Sequence, residues 1–559
     1  MQLKTVSNKI SLYCNTVKYL KVSQVFYMLL RSKILKHKFL NNIQKNKYDI
    51  QNIENIFIPE LDEDEKFLSK FNYTDISNKK FTFLFETHFV ELAGWKADAK
   101  PLWNYNLYYF EYCIYLANEW RKTKDEKYYI LFKEIVHSWI LATSPEHISW
   151  QPYPMSLRII NWIICISMFG MKVISDETFF TEIINSLYIQ YRTLLLRQEK
   201  WLLGNHYFEN LFSIVIGSIF FKENKILVKY EKKLKRETKK QILEDGMHYE
   251  LSPMYHKVIL TDLIRLYSVS LQYNFKMKEW ILLYLSKMKN VLLFLEEEFD
   301  TTPLFNDSGD NVARRKEALL LALKKFSLMP FSKEQLTSAG YYKIKNSNCC
   351  VLIDAGKIGP SYMPGHGHCD CLSFEMSIKG MKVLGNSGTY QYQGKYRNYF
   401  RSTRAHNTVM MDNHEQSQCW GEHRVAKRIS RIKAKLDDNT FTGEYINYCG
   451  QKHKRNISLL NNKLIVSDTG YNVKMFSSFL HILPEYEIND SLAILLKKDV
   501  IAKIKPLNAE VIIHRKDEMS HYSSEFGKLQ NGVCIEFFWN NDNKFHGYEI
   551  EYNIGEKKL

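Results

Sequence analysis

A helical half followed by an all-β half is the fold class that this sequence predicts, and three observations predict it. The chain has 559 residues, more than one unit at roughly 150 residues per domain. Apolar residues make up 45% and charged residues 25%, close to the soluble globular average, which excludes a disordered, collagenous or coiled-coil chain. After Ala339-Gly340 the hydrophobic pattern changes from helical stripes to short alternating runs, as where a helical domain gives way to strands.

Residues 1–80 read as a lead-in, basic at first and then polar and rich in Asn and acids. Lys18, Lys21 and Ser23 break its apolar runs. The longest, Val25 to Leu30, is shorter than the roughly 7 to 15 residues of a signal-peptide core. Residues 81–335 carry helical stripes such as Leu260, Leu263, Ile264 and Tyr267, with others in Tyr108 to Trp120 and Ile281 to Phe294. Breaks fall at Trp150-Gln-Pro-Tyr-Pro154 and Ser252-Pro253, which gives some eight to ten helices. Residues 336–559 hold the β-rich runs Cys350 to Asp354, Leu372 to Ile378, Thr408 to Met411, Ile457 to Ser467, Glu510 to His514 and Val533 to Trp539, separated by Asn, Asp and Gly.

The longest weakly charged apolar stretches, Ile159 to Met171 and Asn210 to Phe221, fall short of the ~18 residues a membrane span needs. No transmembrane segment is expected. Lysine and arginine exceed the acids by 77 − 61 = +16, which suits an anionic partner. No compact run of five or more basic residues occurs, and those of Glu231 to Lys240 are mixed with acids as on a solvated helix face. Nucleic acid is therefore not the expected partner. Ten cysteines without a CxxC pair read as reduced thiols.

Polar residues concentrate in four places: Gly204-Asn205-His206 with Glu209-Asn210, Ser252-Pro-Met-Tyr255-His256, Gly365-His366-Gly-His368-Cys-Asp370, and Arg401-Ser-Thr-Arg404-Ala-His406-Asn407. Singly, each has a structural explanation: Asn205 as a helix cap, Tyr255 as a core-edge aromatic, His406 as a buried, hydrogen-bonded histidine. Pro364 to Asp370 is harder to explain so, because two glycines permit close backbone approach. If the segment is extended, His366, His368 and Asp370 share one face, as metal ligation or acid-base work requires. No Walker loop, GxGxxG, HExxH or GxSxG is present, which removes the commonest nucleotide, zincin and serine-hydrolase readings.

From about Phe81 to at least His453 the chain resembles the heparinase II/III-like polysaccharide lyases. The helical half carries Leu102-Trp-Asn-Tyr-Asn-Leu-Tyr-Tyr-Phe110, Pro152-Tyr-Pro-Met-Ser-Leu-Arg-Ile-Ile-Asn-Trp162, Leu203-Gly-Asn-His-Tyr-Phe-Glu-Asn210 and Glu250-Leu-Ser-Pro-Met-Tyr-His256. The β half carries the His366 block, Leu372-Ser-Phe-Glu375, Asn386-Ser-Gly-Thr-Tyr390 and Tyr399-Phe-Arg-Ser-Thr-Arg-Ala-His-Asn-Thr408. The resemblance implies an incomplete (α/α) toroid followed by an antiparallel β-sandwich, with the active site between them. It also implies β-elimination on an acidic, uronate-containing polysaccharide or oligosaccharide, with a bacterial surface or capsular polymer among the candidates.

In that chemistry the proton at C5 is weakly acidic until the neighbouring carboxylate is neutralised. By resemblance, Asn205 holds that carboxylate, Tyr255 and His366 are the acid/base pair with the base left open, and His406 assists. His206, Glu209 and His256 join as substrate-binding candidates, Arg401 and Arg404 as partners for anionic sugar groups, and Trp103 or Trp150 as a stacking platform. Salt bridges and core packing account for the arginines and tryptophans equally well. The reaction requires no cofactor. Metal-containing relatives imply a divalent ion, zinc or calcium, at His368, Asn386 and His453, where Asn386 replaces an aspartate and weakens the site; Asp370 is a minor alternative for the missing carboxylate.

Two other functions fit the sequence. A glycoside hydrolase on the same toroid needs a carboxyl pair, for which Glu209, Asp245 and Glu250 are the candidates, and a non-catalytic carbohydrate-binding protein needs none of this chemistry. The expected location is cytoplasmic, the alternative being the periplasm or export by another route. The basic Lys18 to Lys38 segment either packs on the toroid or touches anionic lipid peripherally.

Overall fold

The computed structural model describes residues 2–33, 64–542 and 545–552. Two helices open the chain, α1 (Gln2–Val17) and α2 (Val22–Lys33). The expectation for Lys18 to Lys38 thus lies partly outside the described residues. A hairpin, Lys80–Phe83 with Glu86–Phe89, precedes the helical body.

Between residues 81 and 335 eleven α-helices follow, from Pro101–Tyr109 to Lys316–Lys324. This exceeds the expected eight to ten, partly because Gly170 splits off the five-residue helix Met171–Ser175. The stripe from Tyr108 to Trp120 is likewise two helices, since Phe110 turns left-handed at φ 60° between Pro101–Tyr109 and Glu111–Thr123. Pro152–Phe169 and Gly204–Phe220 are buried on nearly every face, so they form the inner wall of the toroid. Pro at the first helical position starts Pro101–Tyr109, Pro152–Phe169 and Pro253–Gln272, where its missing N–H costs nothing.

The β half is an antiparallel sandwich. One sheet runs, in spatial order, Ser430–Asp437, Thr440–Ile446, Lys452–Leu459, Lys463–Tyr471, His546–Tyr552, Asp499–Leu507, Ala493–Leu496, Glu487–Ile488. The other runs Glu510–Arg515, Val533–Asn540, Met475–Ile482, Met381–Leu384, Phe374–Ile378, Cys349–Asp354, Tyr341–Lys345, with Val409–Met411 also pairing Met475–Ile482. Alternate residues of Thr440–Ile446 and Lys452–Leu459 are buried, the period of a half-buried strand. Phe441, Val466, Ile504 and Tyr548 meet Val351, Phe374, Leu480 and Phe537 between the sheets. The run Ile457 to Ser467, expected as one strand, is a hairpin that turns at Leu460 to Lys463, where the Leu460 N–H reaches the Lys463 carbonyl; Asn461-Asn462 supplies the turn.

The two halves join through Asn306 and Asp307. The Asp307 N–H donates to the His366 carbonyl, the Asn306 N–H to Asp370 and the His368 N–H to Asn306 Oδ1. Among the described residues no helix is long and apolar enough to cross a membrane.

Candidate functional site

Asn205 stands in the first turn of helix Gly204–Phe220, behind Leu203 at φ 61° and Gly204 at φ 61°. Such a conformation in a leucine is strained and needs support from its surroundings. A Cβ at Gly204 would strike the Glu250 carboxylate, so glycine is required there. That carboxylate accepts the Asn205 N–H at 3.0 Å and its side-chain Nδ2–H at 2.8 Å. Nδ2 also lies 3.3 Å from His366 Nε2, and the buried Oδ1 has no partner.

Tyr255 lies in the first turn of helix Pro253–Gln272, whose Ser252 cap accepts the Tyr255 N–H at 3.1 Å. Its ring packs 4.1 Å from that of His366, and its hydroxyl lies 2.8 Å from the Tyr392 hydroxyl. Burial pushes its phenol well above the ordinary value, so it holds its proton.

His366 donates Nδ1–H to Asp307 at 2.9 Å, which leaves Nε2 as the lone-pair nitrogen toward Asn205. Asp307 is fully buried and also accepts His368 Nε2–H at 2.8 Å and both guanidinium nitrogens of Arg397. Burial alone would raise this carboxyl, but Arg397 and the two histidines hold it well below the usual range. The segment around His366 is a loop, not a strand, and a Cβ at Gly367 would strike the Ile358 carbonyl. On the toroid side Tyr153 packs 4.3 Å from the His206 ring with Tyr109 beside it at 6.1 Å, all three half-buried. Glu199, 3.3 Å from the ring, raises His206 against its own burial.

Asn205, Tyr255 and His366 are therefore brought together, and His406 lies behind them. The His406 Nε2–H donates to His368 Nδ1 at 3.1 Å, while its Nδ1 is buried without a partner. Burial lowers His368 to about 4 and His406 well below 6.5.

Several expected contacts do not form. Trp103 is buried, donates Nε1–H to the Glu86 carbonyl and packs edge-on against Phe83, so it supports the helical core rather than a sugar. Trp150 is likewise buried against Trp139. His256 points inward to the Met288 carbonyl. Glu209 is buried toward Asp262, and burial raises its carboxyl. Arg401 is buried and gives Nε–H and Nη1–H to the carbonyls of Gly367 and Glu422, with its buried Nη2 left without a hydrogen-bond partner, while the exposed Arg404 has no described contact with the Tyr255–His366 cluster. Trp103→Ala should cost about 3–5 kcal/mol of stability in denaturant unfolding and leave the kinetics of the folded protein unchanged. A raised KM at unchanged stability would return Trp103 to the cleft.

Of the expected metal ligands, His453 and Asn386 each have a protein partner of their own. His453 donates Nε2–H to Asp468, which Arg455 shares. Asn386 Oδ1 accepts the Asn407 N–H. The donors that do converge are His368, Asp370 and His406, all buried, with ligand atoms within 4.8 Å of one another. Two imidazoles and a carboxylate suit zinc. Asp370, however, is raised to about 7, chiefly by burial, which weakens its charge.

Burial also keeps His248 and His481 neutral, each lowered to about 4, and His256, lowered to about 3. The unfolded chain takes these protons near about 6.5. Their contribution to stability is thus complete above that pH and is lost as pH falls toward the folded values. The thermal unfolding midpoint should drop steadily from about pH 7 to pH 4.5; a flat profile would contradict neutral burial.

Asp307, Tyr392, Tyr109 and Tyr153 were not legible as site residues. Tyr109 and Tyr153 lie inside quoted blocks and Tyr392 two residues beyond one, but Asn306-Asp-Ser-Gly309 reads as an ordinary turn.

The model for the heparinase II/III N-terminus matches residues 9–335, and that for the heparinase II/III-like C-terminal region matches residues 329–519. A heparin-sulfate lyase of Pedobacter heparinus is 25% identical over 391 residues, 62% of this chain and 57% of that one. One of Bacteroides stercoris is 24% identical over 324 residues, 52% and 47% of the two chains. The chain thus spans about half the length of these curated relatives. In structure it is similar to heparinase III, with TM-score 0.67, 17% identity and coverage of 91% of this chain and 88% of that one. It is also similar to a heparan sulfate lyase from Pedobacter heparinus, with TM-score 0.56, 18% identity and coverage of 93% and 88%. These solved structures share its helical toroid followed by a β-sandwich.

Proposed function

The chain belongs to the heparinase II/III family, and from that premise we propose that it is a polysaccharide lyase cleaving an acidic, uronate-containing polysaccharide by β-elimination. The observation that carries this reading is the meeting of Asn205, Tyr255 and His366, from three separate segments, with Asn205 Nδ2 3.3 Å from His366 Nε2 and the Tyr255 and His366 rings 4.1 Å apart. The relatives are named for heparin sulfate; a uronate polymer is the substrate class that comes from them, and a bacterial surface polysaccharide is a further candidate within it.

On substrate binding the Asn205 Nδ2–H turns from His366 to the sugar carboxyl, which acidifies the proton at C5 and frees His366 Nε2. His366 Nε2 removes that proton, with Asp307 fixing the ring and the imidazolium charge. The electron pair forms the C4–C5 double bond, the C4–O4 bond breaks, and Tyr255 gives its proton to the departing oxygen. Tyr392 then donates to the Tyr255 oxygen. This assignment of base and acid follows from His366 Nε2, whose described partner is the Asn205 amide that turns to the substrate, and from the raised phenol of Tyr255. A divalent cation at His368, Asp370 and His406 would fix the loop behind His366 by charge, and the elimination steps do not require it.

The hydrolase alternative lacks a carboxyl pair at the separation hydrolysis needs: Glu250 is bound to Asn205, Asp245 accepts the N–H groups of Met247 and Ala339, and Glu209 is hydrogen-bonded directly to Asp262. Incubation with a panel of uronate polymers should yield an unsaturated product with new ultraviolet absorbance. Saturated products would mean hydrolysis, and tight binding without product would mean a carbohydrate-binding protein.

A further inference from the structure

We propose that α1 and α2 form a docking surface for an anionic lipid bilayer. Each helix has an inner face fastened to the body. The Trp420 Nε1–H donates to the Thr16 hydroxyl at 2.9 Å, the Tyr13 ring lies 4.7 Å from that of Trp420, and the Gln24 side-chain amide donates to the Trp201 carbonyl at 3.2 Å. Lys21 sits 3.6 Å over the Tyr362 ring and Arg428 3.9 Å over that of Tyr19. The helices are thus held against both halves.

The outer face of α2 presents Val22, Val25, Phe26 and Leu29, at the i, i+3, i+4, i+7 spacing of one stripe, with exposures of 87%, 39%, 56% and 67%. Ile10 and Val17 of α1 are also more than half exposed. A coherent apolar stripe left open to water marks an interaction surface.

Charge selects the occupant. Residues 2–33, which form α1, α2 and the turn between them, contain six lysines and arginines and no Asp or Glu. Beside α2 the body adds Lys200, 5.1 Å from the Tyr27 ring, with Lys229, Lys233 and Arg236 near it. Burial and these like charges lower Lys200 and Lys233, and burial with Lys240 lowers Lys21. Three of the four stripe side chains are aliphatic and offer nothing to the hydroxyls of a sugar polymer, whereas an apolar stripe flanked by cations is how an interfacial helix holds an anionic membrane.

The test is centrifugation of the full chain with vesicles of phosphatidylglycerol and phosphatidylethanolamine, and with phosphatidylcholine alone. Binding is expected only to the anionic vesicles, weakened by salt, and reduced about tenfold or more in the doubly substituted Val25→Asp, Phe26→Asp chain. That chain should keep the parent's circular dichroism and melting midpoint. No binding to anionic vesicles, or binding that the double substitution leaves intact, would overturn the proposal. So would a concentration-dependent dimer abolished by the same substitutions without vesicle binding, which would make the stripe a contact between two copies. Preferential capture of a uronate polymer by these helices, read as loss of polymer binding in the double variant, would also refute it.

Discussion

Tyr255→Phe is expected to lower kcat by about 10²- to 10⁴-fold, the worth of a positioned proton donor, with KM and stability nearly unchanged. The fold does not depend on the hydroxyl, whose described partner is the hydroxyl of Tyr392, while the ring keeps its packing on Met254, Ala313 and Phe526. The measurement is the steady-state rate of unsaturated product formation on a cleavable uronate polymer. Tyr392→Phe should have a much smaller effect, since it touches the sugar only through Tyr255. A loss under about tenfold in Tyr255→Phe would move the proton donor elsewhere.

Asp307→Asn should both destabilise the protein and impair catalysis. The carboxylate is buried among His366, His368 and Arg397. Removing its charge strands a buried guanidinium, a change that typically costs about 3–5 kcal/mol. Denaturant unfolding reads this loss directly. Adding Arg397→Met removes the stranded charge and should restore much of the stability. Activity should stay low in the double variant, because the imidazolium formed at His366 still lacks its carboxylate. Recovery of both together would reduce Asp307 to a purely structural role.

The site was legible to the extent that its residues travel in local blocks. Tyr255 follows a helix-starting signal, Ser252-Pro253, so its place in a first turn is written locally, whereas the helix holding Asn205 starts at an uncapped Leu203. His366 sits between glycines that only a close-packed loop needs. The turn at Asn306-Asp-Ser-Gly309 carries no such sign. Its meaning depends on His366 and Arg397, 59 and 90 residues away in the chain. Arg401 and Arg404 looked alike in sequence, but the fold buries one against backbone carbonyls and exposes the other. Asn386 and His453 looked like partners of His368, yet the strand Lys452–Leu459 sets His453 opposite Gly470 in the ladder and beside Asp468.

The sequence by itself determined the order of the two halves, the register of hydrophobic faces and the local blocks that carry Asn205, Tyr255, His366 and His406, because helical and strand periods and helix starts depend on neighbours in the chain. Only the tertiary structure decided that Asp307 is the hub of the site, that Trp103, His256 and Arg401 face away from the cleft, and that His368 meets Asp370 and His406. Those outcomes depend on which distant segments pack together, since burial, charge pairing and the direction of a side chain are properties of the assembled core.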